Sequence, residues 1–451
     1  MEDRLLLAFY GDDFTGSTDA MEALAANNYR TILFLEPPSE ETLKRFPGIS
    51  CIGVAGTSRS KTPDEMEREL RPVFEAFSKI QVPIVHYKTC STFDSAPEVG
   101  SIGKAIEIAR HYFNQQTLIP LLVGAPVLGR YTLFGNHFAR MQETVYRLDR
   151  HPTMSRHPIT PMHEADLCLH LGEQTSEKIS LMNILELAGD FADVRNRFIA
   201  KDSGGPSVLL FDVLDDERLH KCGQLMWERG GENPQFVVGS SGVEYALTAS
   251  WTSLGLQPAG NYTNDKGLRK TDRILVVSGS CSPITHRQIQ LALDQGFHGV
   301  KISLEQILNS QVPPQTLLNQ VLRAFSQGKS VVLYTALGPD DESIAANRER
   351  LIKLGTHELQ SSQVVGSHLG KWIREILNAS GVHRLVIAGG DTSGFVTREL
   401  GVFALETVRS ISPGAPMCKG YSSQGSLGDL ELALKGGQMG GEDYFRRVLL
   451  A

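Results

Sequence analysis

A chain of 451 residues is too long for one ordinary hydrophobic core, so two domains, three at most, are expected. With 41% hydrophobic and 21% charged residues it reads as globular. Its formal net charge of -7 gives no support for a nucleic-acid binder, although a pocket can be locally positive inside an acidic protein.

Leu5 to Tyr10 is an apolar run that predicts a first strand, followed at once by GDDFTGSTDA and a helical pattern, MEALAANN. The opening MEDRLLLAFYGDDF lacks the long apolar region of a signal peptide. Thr31 to Leu35, Ile52 to Ala55 and Ile84 to Tyr87 predict three more strands. Between the last two, Pro63 to Ser78 carries a helical stripe of Met66, Leu70, Phe74 and Phe77. The most apolar stretch, Leu118 to Leu128, holds Pro120, Gly124 and Pro126; it is too short to span a bilayer and reads as a core strand entering a loop. Ser207 to Asp212 and Gln235 to Gly239 are further strands, the second leading into GSSG and a helix over Val243 to Ser250. Leu254 to Asp272 has little periodicity and suits a linker.

A fresh unit starts at Arg273, where ILVVSGSCSPITHRQIQLALDQG reads as strand, small-residue turn and helix. Ser330 to Thr335 and Arg384 to Ala388 are strands, the latter running into GGDTSG and a helix from about Phe395 to Leu400. A helix over Glu442 to Leu449 closes the chain. The alternation predicts an α/β protein of two domains, 1–255 and 270–451, each with a mostly parallel or mixed sheet flanked by helices. Such sheets bind ligands at the carboxyl ends of their strands.

Five clusters sit at such ends. In Gly11-Asp12-Asp13-Phe14-Thr15-Gly16, one carboxylate can reach a ligand hydroxyl or Mg²⁺ while the other caps the helix, and ordinary capping explains the residues equally well. Asp12 or Asp13 could orient or deprotonate a substrate hydroxyl. Arg59, after the third strand, has the fork that clamps a carboxylate, though a solvated loop arginine reads the same. Lys88, with Ser91, Thr92, Asp94 and Ser95, suits a small hydroxylated anion, and Cys90 among them reads as a buried thiol rather than a nucleophile. His157, His163 and Asp166 match no metal-ligand spacing and read as a loop entering a helix. Ser278-Gly279-Ser280 and Gly389-Gly390-Asp391-Thr392 are small-residue turns whose amides can cradle phosphate, and Gly414 and Gly437 lie in two further glycine loops. Asp391 can polarise an attacking hydroxyl, hold Mg²⁺, or merely cap its helix. Neither GxGxxG with a ribose-binding acid nor a protein-kinase signature occurs, which disfavours a nicotinamide oxidoreductase and a protein kinase. Six scattered cysteines without a CxxC pair suggest no zinc knuckle or disulfide framework and fit a reducing, cytoplasmic setting.

Taken together, GDDFTGSTD, TSR at 57–59, KTCSTFDS at 88–95, HPITPM at 157–162, SGSCSPITHRQ at 278–288, GGDTSG at 389–394 and KGGQMG at 435–440 resemble the four-carbon acid sugar kinase family over nearly the whole chain. The resemblance implies an ATP- and Mg²⁺-dependent kinase of threonate, erythronate or 3-oxo-tetronate acting at the terminal 4-hydroxyl, with a sugar-acid domain followed by a nucleotide domain. It implies that Asp12, Asp13, Arg59 and Lys88 face the acid, with Ser91 and Asp94 beside them. Ser278, Ser280, Gly389 to Thr392, Gly414 and Gly437 would hold ATP. Asp391 is the first choice for the activating carboxylate and the Asp12/Asp13 pair its rival. Many family members carry a lysine followed by DSTLRG, and the arginine of that motif has no clear equivalent after Lys88. A binding protein that keeps the fold without catalysis is the alternative. The expected partner is a small acid sugar, with neither nucleic acid nor membrane, and a homodimer is the default assembly.

Overall fold

The computed structural model describes residues 4–157, 159–205, 207–230, 234–256, 267–345, 347, 358–422, 428 and 430–451, with backbone only at 358–362 and 391. Its strands in the first half are β1 (Leu7–Gly11), β2 (Thr31–Phe34), β3 (Cys51–Ala55), β4 (Ile84–Lys88), β5 (Ile119–Leu122), β6 (Arg130–Leu133), β7 (Asn136–Met141), β8 (Thr144–Arg147), β9 (Ile179–Met182), β10 (Val208–Phe211) and β11 (Gln235–Gly239). The second half holds β12 (Leu275–Ser278), β13 (His298–Lys301), β14 (Val331–Tyr334), β15 (Arg384–Ala388), β16 (Val402–Ser412), β17 (Ala415–Ser422) and β18 (Leu430–Lys435). Contacts divide the chain into two compact units, Met1–Thr31 with Glu36–Tyr262, and Ile32–Leu35 with Thr263–Ala451.

The first unit is built on parallel strands in the order β3-β1-β4-β11-β5-β10-β9. Segments such as LAFYG, CIGVA and IVHYK are buried at every position, which is why they read as continuous apolar runs rather than alternating ones. The helix Pro63–Lys79 starts with proline inside a Thr62/Glu65 capping box and buries Met66, Leu70, Val73, Phe74 and Phe77. Phe74 meets Tyr10, Tyr87, Phe113 and Phe236 edge-on, filling the space over the strands. A small antiparallel sheet, β6-β7-β8, is an element the apolar pattern did not reveal.

The second unit runs β13-β14-β12-β15-β18 in parallel, then β17, β16 and β2 antiparallel. Val276, Val332, Val386, Ala433 and Tyr444 are buried in its core. Strand β2 is the difference from a clean division of the chain. The sequence alone assigns it to the first domain, yet Ile32, Leu33 and Phe34 pair with Glu406, Leu405 and Ala404 of β16. The helix after Ala388 begins at Gly390, five residues before the apolar pattern starts, because GDTS lacks the residues by which a helical stripe is recognised. Of the expected linker, residues 257–266 lie outside the described residues. No helix among the described residues is long and apolar enough to cross a membrane.

Candidate active site

Parallel pairing aligns the strand ends of the first unit: Gly11 stands opposite Ala55 and Lys88, and Lys88 opposite Gly239. Backbone bonds lock the turns that leave them, with Asp12 N donating to Lys88 O at 2.9 Å and Arg59 N to Asp12 O at 2.9 Å. Asp13 is the N-cap of helix Phe14–Ala26, its Oδ1 accepting from Gly16 N at 2.7 Å. The same carboxylate accepts from Arg59 Nη1 and Nη2 at 2.9 and 2.8 Å. Asp12, 2% exposed, accepts from Arg59 Nε at 3.2 Å and Nη2 at 2.7 Å. One guanidinium therefore engages all four oxygens of the aspartate pair. Burial raises the Asp12 carboxyl above the usual range while Arg59 opposes it. Burial works against the charge on Arg59, but the two aspartates outweigh it and raise its pKa further.

Lys88, 2% exposed, ends β4; its Nζ donates to Thr89 O at 3.0 Å and lies 3.9 Å from Asp19 Oδ2. Burial raises the Asp19 carboxyl, with Lys88 opposing. Gly16 is where these groups meet. A Cβ there would lie 2.4 Å from Asp13 Oδ1, 3.1 Å from Lys88 Nζ and 3.5 Å from Arg59 Nη2. Beneath, His86 and Glu244 are wholly buried, with Nδ1 2.7 Å from Glu244 Oε1 and Nε2 3.1 Å from Gly239 O. This pair fixes the strand that carries Lys88.

In the turn after Lys88, Thr92 Oγ1 donates to Asp94 Oδ1 at 2.7 Å and Phe93 adopts a φ of 57°, a costly region for a bulky side chain. Ser91 gives its carbonyl to His137 Nε2 at 2.9 Å. Burial pushes the Cys90 thiol up to about 11, the opposite of an activated nucleophile. Asp166 caps helix Leu167–Gly172, accepting from Cys168 N and Leu169 N, and His157 Nδ1 accepts from Thr160 N. Among the described residues no group of three or more His, Cys, Asp or Glu could hold a metal ion.

The second unit aligns Ser278 with Tyr334 and Ala388, and Ala388 with Lys435. Its small residues permit close approach. A Cβ on Gly279 would lie 2.2 Å from Thr392 Oγ1, one on Gly389 3.1 Å from that atom and 3.6 Å from Ser280 N, and one on Gly437 2.6 Å from Ser280 Oγ. Ser280, Gly389, Gly390, Thr392 and Gly437 thus converge, with Ser278 Oγ accepting from Ser280 N at 3.3 Å. Gly414 packs beside the Gly437 loop, where a Cβ on it would lie 2.2 Å from Met439 Cε. It makes the β16–β17 hairpin turn, where Ser412 pairs Ala415 and φ is 71°. The backbone of Asp391 is in the first turn of helix Gly390–Glu399, while its side chain lies outside the described residues.

Two side chains here, Lys435 and Gln288, escaped the sequence reading, and both hold the Gly437 loop. The Gly437 carbonyl accepts from Ser282 Oγ, from Thr285 Oγ1 at 2.8 Å and from Lys435 Nζ at 3.4 Å. Lys435, 1% exposed, also donates to Thr285 Oγ1 at 3.0 Å, and burial pushes its pKa down to about 7. Gln288 Nε2 holds the same loop through the carbonyls of Met439, Gly440 and Gly441. Lys435 opens the KGGQMG motif, the one sequence signal for it.

Two family models match the chain. Residues 7–247 match a family model described as a sugar-binding N-terminal domain, and residues 275–445 one described as a nucleotide-binding C-terminal domain. The chain is 44% identical to a 3-oxo-isoapionate kinase of Paraburkholderia graminis, over 98% of this chain and 94% of that protein. It is 30% identical to a 3-oxo-tetronate kinase of Pseudomonas savastanoi pv. phaseolicola, over 99% and 97%. Solved proteins from Salmonella typhimurium LT2 (TM-score 0.78) and Haemophilus influenzae (TM-score 0.72) share the fold at 23% identity, each likeness covering 98% of both chains. The chain belongs to the four-carbon acid sugar kinase family.

Proposed function

We propose that this protein transfers the γ-phosphoryl group of ATP to the terminal hydroxyl of a 3-oxo sugar acid, and that 3-oxo-isoapionate and 3-oxo-tetronate are the first substrates to try. The observation that carries the reading is the convergence of Lys88, Asp13 and Arg59 around Gly16 at aligned strand ends. Phosphoryl transfer needs little covalent help from the protein; it needs in-line positioning and charge neutralisation. Lys88 and the Asp12–Asp13–Arg59 unit would hold the acid's hydroxyls, with Ser91 and Asp94 at the turn beside them. The Ser280 turn, the Gly389 to Thr392 turn and Gly437 would receive the phosphates. Because Arg59 occupies the oxygens of Asp12 and Asp13, Asp391 is the better activating carboxylate. Mg²⁺ would enter on the phosphates as Mg–ATP, a mode that asks for few protein ligands. A cytoplasmic homodimer is the assembly proposed, which sedimentation velocity checks.

The test is incubation of the purified protein with Mg–ATP and a panel of tetronates and 3-oxo sugar acids. Acid-dependent ADP release is expected, with phosphorus NMR placing the phosphate on a terminal carbon. A folded protein that turns over no acid on the panel would overturn the proposal.

A further inference from the structure

Arg59, the arginine best placed by sequence to grip a substrate carboxylate, already has its donors on Asp12 and Asp13. A second guanidinium, that of Arg130, lies within electrostatic reach of the turn after Lys88. Arg130 opens β6 directly after Gly129, whose φ of 66° turns the chain. In the β6–β7 ladder Arg130 pairs with Ala139 and Thr132 with His137. Side chains alternate along a strand, so Arg130, Thr132, His137 and Ala139 share one face of the hairpin. That face is seated on the turn after Lys88. The Ser91 carbonyl can only accept, so His137 Nε2 donates to it at 2.9 Å, and Nδ1 takes the Thr132 hydroxyl at 3.0 Å.

Arg130 therefore looks onto the segment that carries Cys90, Thr92 and Asp94. Its charge interacts with Cys90, Asp94 and Asp19, and Cys90 is also within electrostatic reach of Arg59, so the two guanidinium groups flank the turn. Unlike Arg59, Arg130 forms no ion pair among the described residues. Its Nη1 donates to the carbonyls of Leu128, Gly129 and Arg140 at 3.0, 3.3 and 3.3 Å, which fixes the plane of the group. Its Nε is buried with no acceptor among the described residues. Burial also depresses the pKa of this arginine, with Cys90 and Asp94 opposing, so an added anion would relieve it.

We infer that Arg130 is the specificity residue that recognises the carboxylate of the acid substrate through its guanidinium group, supplying from the β6–β7 hairpin the arginine missing after Lys88. The inference rests on the acid sugar reading above. Arginine's rigid fork matches a carboxylate in a way a lysine does not.

The experiment compares wild type, Arg130→Lys and Arg130→Ala on an acid that wild type phosphorylates and on the primary amide of that acid. In R130A the KM for the acid is expected to rise about 10- to 100-fold, with KM for ATP and for the amide unchanged and R130K in between. An unchanged KM for the acid, or an equal loss on acid and amide, overturns the assignment. If R130A does not fold, Arg130→Gln keeps a donor for the carbonyls without the charge and answers the same question. Should wild type phosphorylate nothing, the kinase reading fails by itself. Calorimetry with erythronate and no nucleotide then decides on Arg130: weaker binding by R130A supports it, and equal or absent binding overturns it.

Discussion

On the proposed function, the two units would hold an anionic ligand at aligned strand ends by opposite means. In the first, Asp12, Asp13, Arg59, Lys88 and Asp19 crowd one place and largely satisfy one another. In the second, glycines and hydroxyls line the turns, and Lys435 is hydrogen-bonded to neutral oxygens rather than to a carboxylate. The contrast teaches what each can read. A fixed array of paired charges would leave directional positions for individual hydroxyls, whereas small-residue turns beside a buried cation would accept any phosphate that fits. On that proposal, selectivity among acids would belong to the first unit, and loss there need not touch the nucleotide.

The largest expected effect breaks the paired array. Arg59→Leu leaves Asp12 buried without its partner, and urea denaturation should show a loss of about 3–5 kcal/mol. Arg59→Lys keeps the charge but not the fork and should fall between. A variant as stable as wild type would mean the pairing is incidental. The second effect concerns Lys435, whose folded pKa of about 7 lies below that of an unfolded lysine. Between those values the unfolded chain binds more protons, so stability should increase as pH rises from about 7 towards 10, by about 1 kcal/mol per unit. Below pH 7 the lysine is charged in both states and contributes no slope. Lys435→Met should abolish the rise, as thermal or urea melts across that range would reveal. The smallest effect sharpens the contrast. Gly437→Ala places a carbon 2.6 Å from Ser280 Oγ and should weaken ATP binding about 10-fold while sparing the acid; Gly16→Ala, 2.4 Å from Asp13 Oδ1, should do the reverse. Calorimetry with each ligand separately checks the crossing.

Much of this was legible in the chain because local signals and tertiary placement agree. Continuous apolar runs ending in Gly11, Lys88, Gly239 and Ala388 are what buried parallel strands require, and ligands gather where such strands stop. Asp13 was open between cap and ligand contact, and the structure gives it the cap together with Arg59. The Arg59–Asp12 bond joins residues 47 apart, a pairing no spacing rule announces. Arg130 is likewise remote from Lys88 in sequence, and its hairpin strands, RYTL and NHFARM, are too short and too mixed to stand out. The long β16–β17 pair was hidden because Pro413 and Gly414 resemble a ligand loop as much as a hairpin turn.

Strand β2 has a consequence for how the protein can be divided. Cutting the chain near residue 260 would not yield two independent folding modules, since the later fragment would leave Ala404, Leu405 and Glu406 without the backbone partners supplied by Ile32 to Phe34. An unpaired strand of that kind is a template for self-association. During synthesis the early segment must also wait for β16, more than 360 residues later, so the nucleotide half finishes folding only with a piece of the chain that was made almost first.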